Sequence, residues 1–341
     1  MGEKCVLILE PKYYSEVDLE RLKKAGYHPV LLESTTKEEL LAIVKRVGDE
    51  GNAVEAIFAK LGLSFDRELF KACGGMLRWL ITPTTGLNHI DLEELEQFDI
   101  NLVSLKGETA FLKEITPTAE LVFALLLALL RRVPAAHNDV LAGNWQRSAH
   151  LGRELKDLCL GVVGLGRLGT MTAGYGRAFG MKVIAYDKSE EAFQREGNGH
   201  VVKKDSLEEL LKAADVVSIH LPWEEETAGV LDSTRFEQFK RGAYLINTAR
   251  GEIVEEKALL SALKEGILAG CAVDVLCGDS CWEERVPEGH LLLDYAREHD
   301  NLIITPHIGG YTINAILKTR AFLVDKFLRA QSEDKGVIDD G

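Results

Sequence analysis

The chain has 341 residues, 46% of them apolar, and a formal net charge of −14 at pH 7. That length fits two packed domains, the apolar fraction excludes a disordered chain, and the acidic balance disfavours nucleic acid or an anionic membrane as a partner. The longest apolar run, Leu121 to Leu130, is too short to span a bilayer and reads as a buried helix.

Met1 to Lys4 lead straight into the strand-like Val6 to Leu9, so no signal peptide is expected. Strand and helix patterns then alternate: Cys5 to Leu9, Val17 to Ala25, Pro29 to Leu32, Lys37 to Val47, Val54 to Phe58 and Phe65 to Ala72. Arg78 to Ile81, Leu92 to Phe98 and Asn101 to Val103 continue the series, which predicts a parallel sheet covered by helices on both faces. Ligands bind such sheets at the carboxyl ends of the strands. Two loops there stand out, Lys60-Leu61-Gly62 and Pro83 to His89. Lys60 reads either as a solvated charge or as an anion contact, and Thr84 to Asn88 either as a plain turn or as a carboxylate cradle.

Thr116 and Pro117 have the chemistry of an N-cap and a first helical position. The helix they open runs through Leu130 and stops around Arg131 to Pro134. It is apolar all round, which predicts burial. Ala142 to Trp145 close a shorter helix, and Arg147 follows in a polar loop.

Leu158 to Asp187 organise the rest of the chain. The apolar run Cys159 to Val163 reads as a buried strand, and Gly164, Gly166 and Gly169 follow with G-x-G-x-x-G spacing at the start of a helix. In a dinucleotide site the first glycine permits the tight turn, the second lets a pyrophosphate approach the backbone, and the third lets helix and strand pack closely. The helix N-terminus supplies free N–H groups to the diphosphate. Lys182 to Tyr186 form a second strand ending in Asp187, 18 positions past Gly169, where a carboxylate would hold the adenosine ribose. The acid favours NAD, while the neighbouring Lys188 leaves NADP open.

Alternation continues with a helix capped by Ser206 and ending at Ala213, then strand Val216 to Leu221, helix Ser233 to Phe239, strand Ala243 to Asn247 and helix Glu255 to Lys264. Strand Ala269 to Leu276, helix Leu291 to Glu298 and strand Leu302 to Thr305 complete a doubly wound nucleotide fold. A last helix from Thr312 to Ala330 has room to return to the first domain, ahead of an acidic tail. The six cysteines form no disulfide framework or zinc spacing, and the nine histidines show no H-x-H or H-E-x-x-H. Free thiols, a reducing cytoplasm and no metal are the expectations.

A nicotinamide cofactor exchanges a hydride, so the protein must exchange a proton with the substrate oxygen. His307, just past the last strand, has the chemistry for that task. Asp279, Glu283 and Glu284 are candidates to orient it, and Arg250, past the Ala243 strand, can clamp a carboxylate beside a carbonyl. Together they predict a 2-oxo acid substrate.

The motifs GLGRLG at Gly164, INTARGEIV at Ile246, AVDVL at Ala272 and TPHIGG at Thr305, with TTGLNHID at Thr84, closely resemble the D-isomer-specific 2-hydroxyacid dehydrogenases. The resemblance implies an NAD-binding Rossmann domain, 109–308, inserted in a flavodoxin-like substrate domain, 1–108 and 309–341. It also implies a two-domain cleft and a homodimer. Arg250 would bind substrate and His307 would be the acid/base. Asp187 would hold the ribose, and Asp274 would lie near the carboxamide. His220, Pro222, Thr248 and Ala249 would line the cofactor, together with Arg167, Leu168, Thr227 and Gly309. Lys60, Leu61, Gly62, Gly86 and Leu87 would hold the substrate carboxylate. The chain departs from the family pattern at Asp279, where a glutamate is usual, so the partner of His307 stays open among Asp279, Glu283 and Glu284.

The reading is an NAD-dependent oxidoreductase that interconverts a small D-2-hydroxy acid and its 2-oxo acid. Its rival is an NAD(H)-sensing interaction protein resembling the C-terminal-binding-protein corepressors, kept open by the shortened acid at 279.

Overall fold

The computed structural model describes residues 2–33, 35–195, 199–282 and 285–336. The chain divides into two compact units. The first takes in Met1–Leu112, Ser280–Arg285 and Ile313–Gly341, and the second Lys113–Asp279 and Val286–Thr312. These boundaries lie a few residues from 108/109 and 308/309, and the short Ser280–Arg285 segment within the first unit has no counterpart in the sequence-based division.

In the first unit β1 (Lys4–Leu9), β2 (Tyr27–Leu32), β3 (Ala53–Phe58), β4 (Trp79–Ile81) and β5 (Asn101–Val103) form a parallel sheet in the order β2-β1-β3-β4-β5. This is the flavodoxin-like order. β1 is buried from Cys5 to Leu9, as a central parallel strand covered on both faces must be. The covering helices start where the sequence supplies caps. Ser15 with Asp18 and Thr36 with Glu39 close reciprocal capping boxes, and Asp66 accepts from the first-turn N–H groups of the helix Arg67–Ala72.

The helix Ile313–Gly336, longer than its periodicity predicts, belongs to this unit. Phe327 is fully buried against the rings of Tyr27, Phe58 and Trp79, and Arg320 pairs with Glu10 at 3.1 Å. Burying such a ring is worth about 1.5–3 kcal/mol, enough to anchor the helix.

The second unit holds β6 (Cys159–Val163), β7 (Lys182–Tyr186), β8 (Val202–Lys203), β9 (Val216–Ile219), β10 (Ala243–Asn247), β11 (Leu268–Val273) and β12 (Leu302–Ile304). They are parallel in the order β12-β11-β10-β9-β6-β7-β8. The order reverses between β6 and β9, and the crevice at such a switch point is where doubly wound sheets bind ligands. β8 is absent from the sequence-based series because it is two exposed residues at a sheet edge with no apolar run to betray it. The helix Pro117–Leu130 is buried along most of its length in this unit's core. Thr116 does not cap it as predicted, since its hydroxyl bonds to Glu120 Oε1 instead. Among the described residues no helix is long and apolar enough to cross a membrane, and no cluster of His, Cys, Asp or Glu could hold a metal ion. All six cysteines are free thiols.

Candidate active site

The glycine turn lies at the switch point. Gly164 adopts φ 90°, and a Cβ there would stand 2.9 Å from the carbonyl oxygen of His220, at the end of β9. A Cβ on Gly169 would stand 2.0 Å from the Gly164 oxygen, so helix Arg167–Ala178 packs on its strand as the motif predicts. A Cβ on Gly166 would meet nothing within 4 Å. No contact within the protein explains that glycine, and the open space is what a pyrophosphate approaching the helix N-terminus needs.

Asp187 follows β7, its Oδ2 accepting from Leu165 N at 2.7 Å and its Oδ1 from Ser189 N at 2.8 Å. The carboxylate is therefore held beside the turn, with lone pairs left for ribose hydroxyls. Lys188 is paired with Glu226 at 2.6 Å, which removes it as a ready partner for a 2′-phosphate. Arg167 donates to the carbonyl of Ile115 at 2.7 Å, and burial lowers its pKa. Leu168 is half-buried beside it.

Past β9, His220 bonds to Ser218 Oγ through Nε2 at 2.9 Å, and burial pushes its pKa down to about 3, so it is neutral. Thr227 accepts from Glu224 N and donates to the carbonyl of Pro222 at 2.7 Å, which fixes the Pro222 loop. After β10, Asn247 Oδ1 accepts the Ala249 N–H, while Thr248 Oγ1 is buried without a hydrogen-bond partner. A buried orphan hydroxyl after a strand of the sheet that carries the glycine turn fits a bound dinucleotide. Arg250 Nη1 donates to the Ala249 carbonyl at 2.6 Å. Burial lowers its pKa, with Asp279 and Glu252 acting in the opposite sense.

Asp274, 1% exposed, follows β11 and organises the turn after β12. Its Oδ1 accepts the Thr305 hydroxyl and the Ile308 N–H, and its Oδ2 the Gly309 N–H. Burial raises its pKa against these bonds. Its main-chain oxygen takes the His307 N–H at 2.8 Å. His307 itself sits in the left-handed region, φ 54°, a position an ordinary residue holds only when its surroundings enforce it. Thr305 is the contributor that residue reasoning passed over, although it opens the TPHIGG motif.

Among the described residues Asp279 is a carboxylate in reach of His307, its Oδ2 standing 3.1 Å from Nδ1. Glu283 and Glu284 lie outside the described residues. In the first unit, Lys60-Leu61-Gly62 and Gly86-Leu87 follow β3 and β4, at carboxyl ends as predicted. The Gly62 N–H is already donated to Ser280 O at 3.2 Å, and Gly86 O accepts from Thr84 Oγ1 at 2.7 Å. Leu87 packs against the apolar core.

Residues 123–309 match the family described as "D-isomer specific 2-hydroxyacid dehydrogenase, NAD binding domain". The chain belongs to that family. Its second unit carries the NAD-binding domain, and NAD is the cofactor. It is 32% identical to D-3-phosphoglycerate dehydrogenase of Bacillus subtilis over 91% of this chain and 55% of that one. It is 34% identical to glyoxylate reductase of Thermofilum pendens over 82% and 77%. The chain thus spans about half the length of the phosphoglycerate dehydrogenases it matches. Among solved structures, the D-lactate dehydrogenase of Aquifex aeolicus with NAD and lactic acid aligns at TM-score 0.74 and 30% identity, covering 98% of this chain and 96% of that one.

Proposed function

We propose that this protein catalyses NAD-dependent interconversion of a small D-2-hydroxy acid and its 2-oxo acid. The observation that carries the reading is the Asp279 carboxylate 3.1 Å from Nδ1 of His307, in the unit that binds NAD. Bound NAD(H) supplies or accepts the hydride. His307 gives a proton to the carbonyl oxygen in reduction and takes it back in oxidation, while Asp279 fixes the ring's tautomer and orientation. Arg250 binds the substrate carboxylate and polarises the adjacent carbonyl. Asp187 holds the adenosine ribose, and Gly164, Gly166 and Thr248 border the dinucleotide. Lys60, Leu61, Gly62, Gly86 and Leu87 keep the substrate-binding role that the resemblance implies, with Gly62 N–H the exception.

The shortened acid at 279 keeps a corepressor-like reading open, and its contact with His307 at 3.1 Å counts against that reading. The named relatives are dehydrogenases and reductases. A homodimer fits the second unit: the helix Val133–Leu141 buries none of its residues, and Leu141, Trp145 and Leu151 are 72%, 87% and 88% exposed, a patch suited to a second copy. Six free thiols fit a reducing cytoplasm.

The test is a panel of 2-oxo acids, glyoxylate, pyruvate and 3-phosphohydroxypyruvate among them, assayed for NADH oxidation. His307→Ala should abolish turnover and leave NADH binding nearly intact. Unchanged turnover in that variant would rule out the acid/base role.

A further inference from the structure

The Asp279 carboxylate, one methylene shorter than the glutamate usual in the family, meets His307 at 3.1 Å, so the contact depends on what holds the main chain beneath Asp279. The stretch from Leu276 to Asp279 shows what that is. Asp279 N donates to the Leu276 carbonyl at 3.1 Å and Leu276 N donates back to Asp279 Oδ2 at 3.2 Å, closing a tight turn through Gly278 at φ 79°. That turn lies directly on the segment that follows Arg250. A Cβ on Gly251 would stand 2.1 Å from the Leu276 carbonyl carbon and 2.4 Å from Cys277 N, so two backbones touch where only glycine fits.

Two acids on the same segment then take consecutive N–H groups of the turn. Glu256 Oε1 accepts from Cys277 N at 3.0 Å, and Glu252 Oε1 accepts from Gly278 N at 3.2 Å. Glu256 is steadied in turn by His290, whose Nε2 lies 3.4 Å from its Oε2. After burial itself, Glu252, Glu256 and Asp279 all push the Cys277 thiol pKa up, an independent sign that three carboxylates crowd this short turn.

We infer that Glu252 and Glu256 are positioning residues, which hold the Cys277–Gly278 main chain so that the short Asp279 side chain reaches His307. The inference deepens the reading of His307 and Asp279 given above and rests on it. One segment, Arg250 to Glu256, thereby places both the substrate-binding arginine and, at one remove, the partner of the acid/base.

The test reads the contact itself rather than turnover. In one-dimensional proton NMR of the full chain in water, the His307 Nδ1–H bonded to Asp279 should give a downfield imidazole resonance, assigned by its absence in His307→Ala and Asp279→Ala. It should be lost in Glu256→Ala and in Glu256→Asp, which keeps the charge but not the reach. It should persist in Glu256→Gln, which keeps the acceptor but not the charge. Should the alanine variant fail to fold, the aspartate and glutamine variants decide the matter. Persistence in Glu256→Asp overturns the inference, as does loss in Glu256→Gln, which would make charge the cause. Absence of the resonance from the unsubstituted protein also overturns it. Lack of NADH oxidation with every 2-oxo acid would defeat the proposed function while leaving this spectrum readable, so the two can fail separately.

Discussion

Replacing Asp274 by asparagine tests whether the turn carrying His307 is held by a charge or merely by shape. The carboxylate accepts from Ile308 N at 2.9 Å, from Gly309 N at 2.7 Å, and from the Thr305 hydroxyl. An asparagine has one oxygen, so whichever way the amide turns, its NH2 faces a main-chain N–H. A buried donor left unsatisfied costs about 1–3 kcal/mol, and each surviving bond weakens by roughly 1 kcal/mol when its acceptor becomes neutral. Burial raises the Asp274 pKa, so exchanging the ion for an amide recovers part of that loss. The net destabilisation is about 2–3 kcal/mol, or roughly 5–10 °C in melting temperature for a domain of this size. Thr305→Val, which removes only the hydroxyl, should cost about 1 kcal/mol. Because His307 is held at φ 54° by its N–H bond to the Asp274 carbonyl, relaxation of the turn should also lower kcat about tenfold or more, with a smaller change in NADH affinity. Thermal melts near neutral pH and steady-state kinetics measure both. An Asp274→Asn protein that melts with the unsubstituted chain would refute the reasoning.

The two glycines of the turn should separate on substitution. Gly169→Ala drives a Cβ to 2.0 Å from the Gly164 oxygen and should lower both melting temperature and NADH affinity, whereas Gly166→Ala meets nothing in the protein and should weaken NADH binding about tenfold, ~1.4 kcal/mol, without changing the melt. Fluorescence titration with NADH distinguishes them, and equal loss of stability would contradict the geometry. His220, neutral in the fold with its pKa near 3, takes up a proton more readily when unfolded, so its share of stability is present above about pH 6.5 and drains away as pH falls toward 3. Urea midpoints should therefore fall more steeply on acidification for the unsubstituted chain than for His220→Gln, by up to about 2 kcal/mol at pH 5. Parallel curves would show that the histidine is already charged in the fold. Asp187→Ser should raise the rate with NADPH relative to NADH at least about tenfold, since it removes the negative charge that a 2′-phosphate would meet. An unchanged ratio would place the ribose elsewhere.

Much of this architecture can be read directly from periodicity. Central parallel strands such as Cys5–Leu9 and Cys159–Val163 must be apolar on both faces, and caps such as Ser15, Thr36 and Ser206 mark where helices start. The placement of Gly164, Gly169, Asp187 and His307 just past strand ends follows as well, because local turns set it. What escaped the reading depends on contacts distant in the chain. Val202–Lys203 is a strand only because Ile184 and Ala185 pair with it. Gly62 has its N–H taken by Ser280, far along the chain, so a loop that the resemblance assigns to the substrate carboxylate has one donor fewer.

The partner of His307 shows why such contacts stay hidden. Asp279, Glu283 and Glu284 are equally acidic and nearly adjacent, so composition cannot rank them. Side-chain length even argues for a glutamate. What brings Asp279 to His307 is the path of the main chain, and Gly251, Glu252 and Glu256, more than twenty residues earlier, contact that path. Those three read in sequence as a loop glycine and two acids at a helix start, all with sufficient local explanations. A site whose central residue departs from the usual side chain is therefore best understood by asking what holds the backbone beneath it, and here the answer is a neighbouring segment whose own arginine is proposed to bind the substrate.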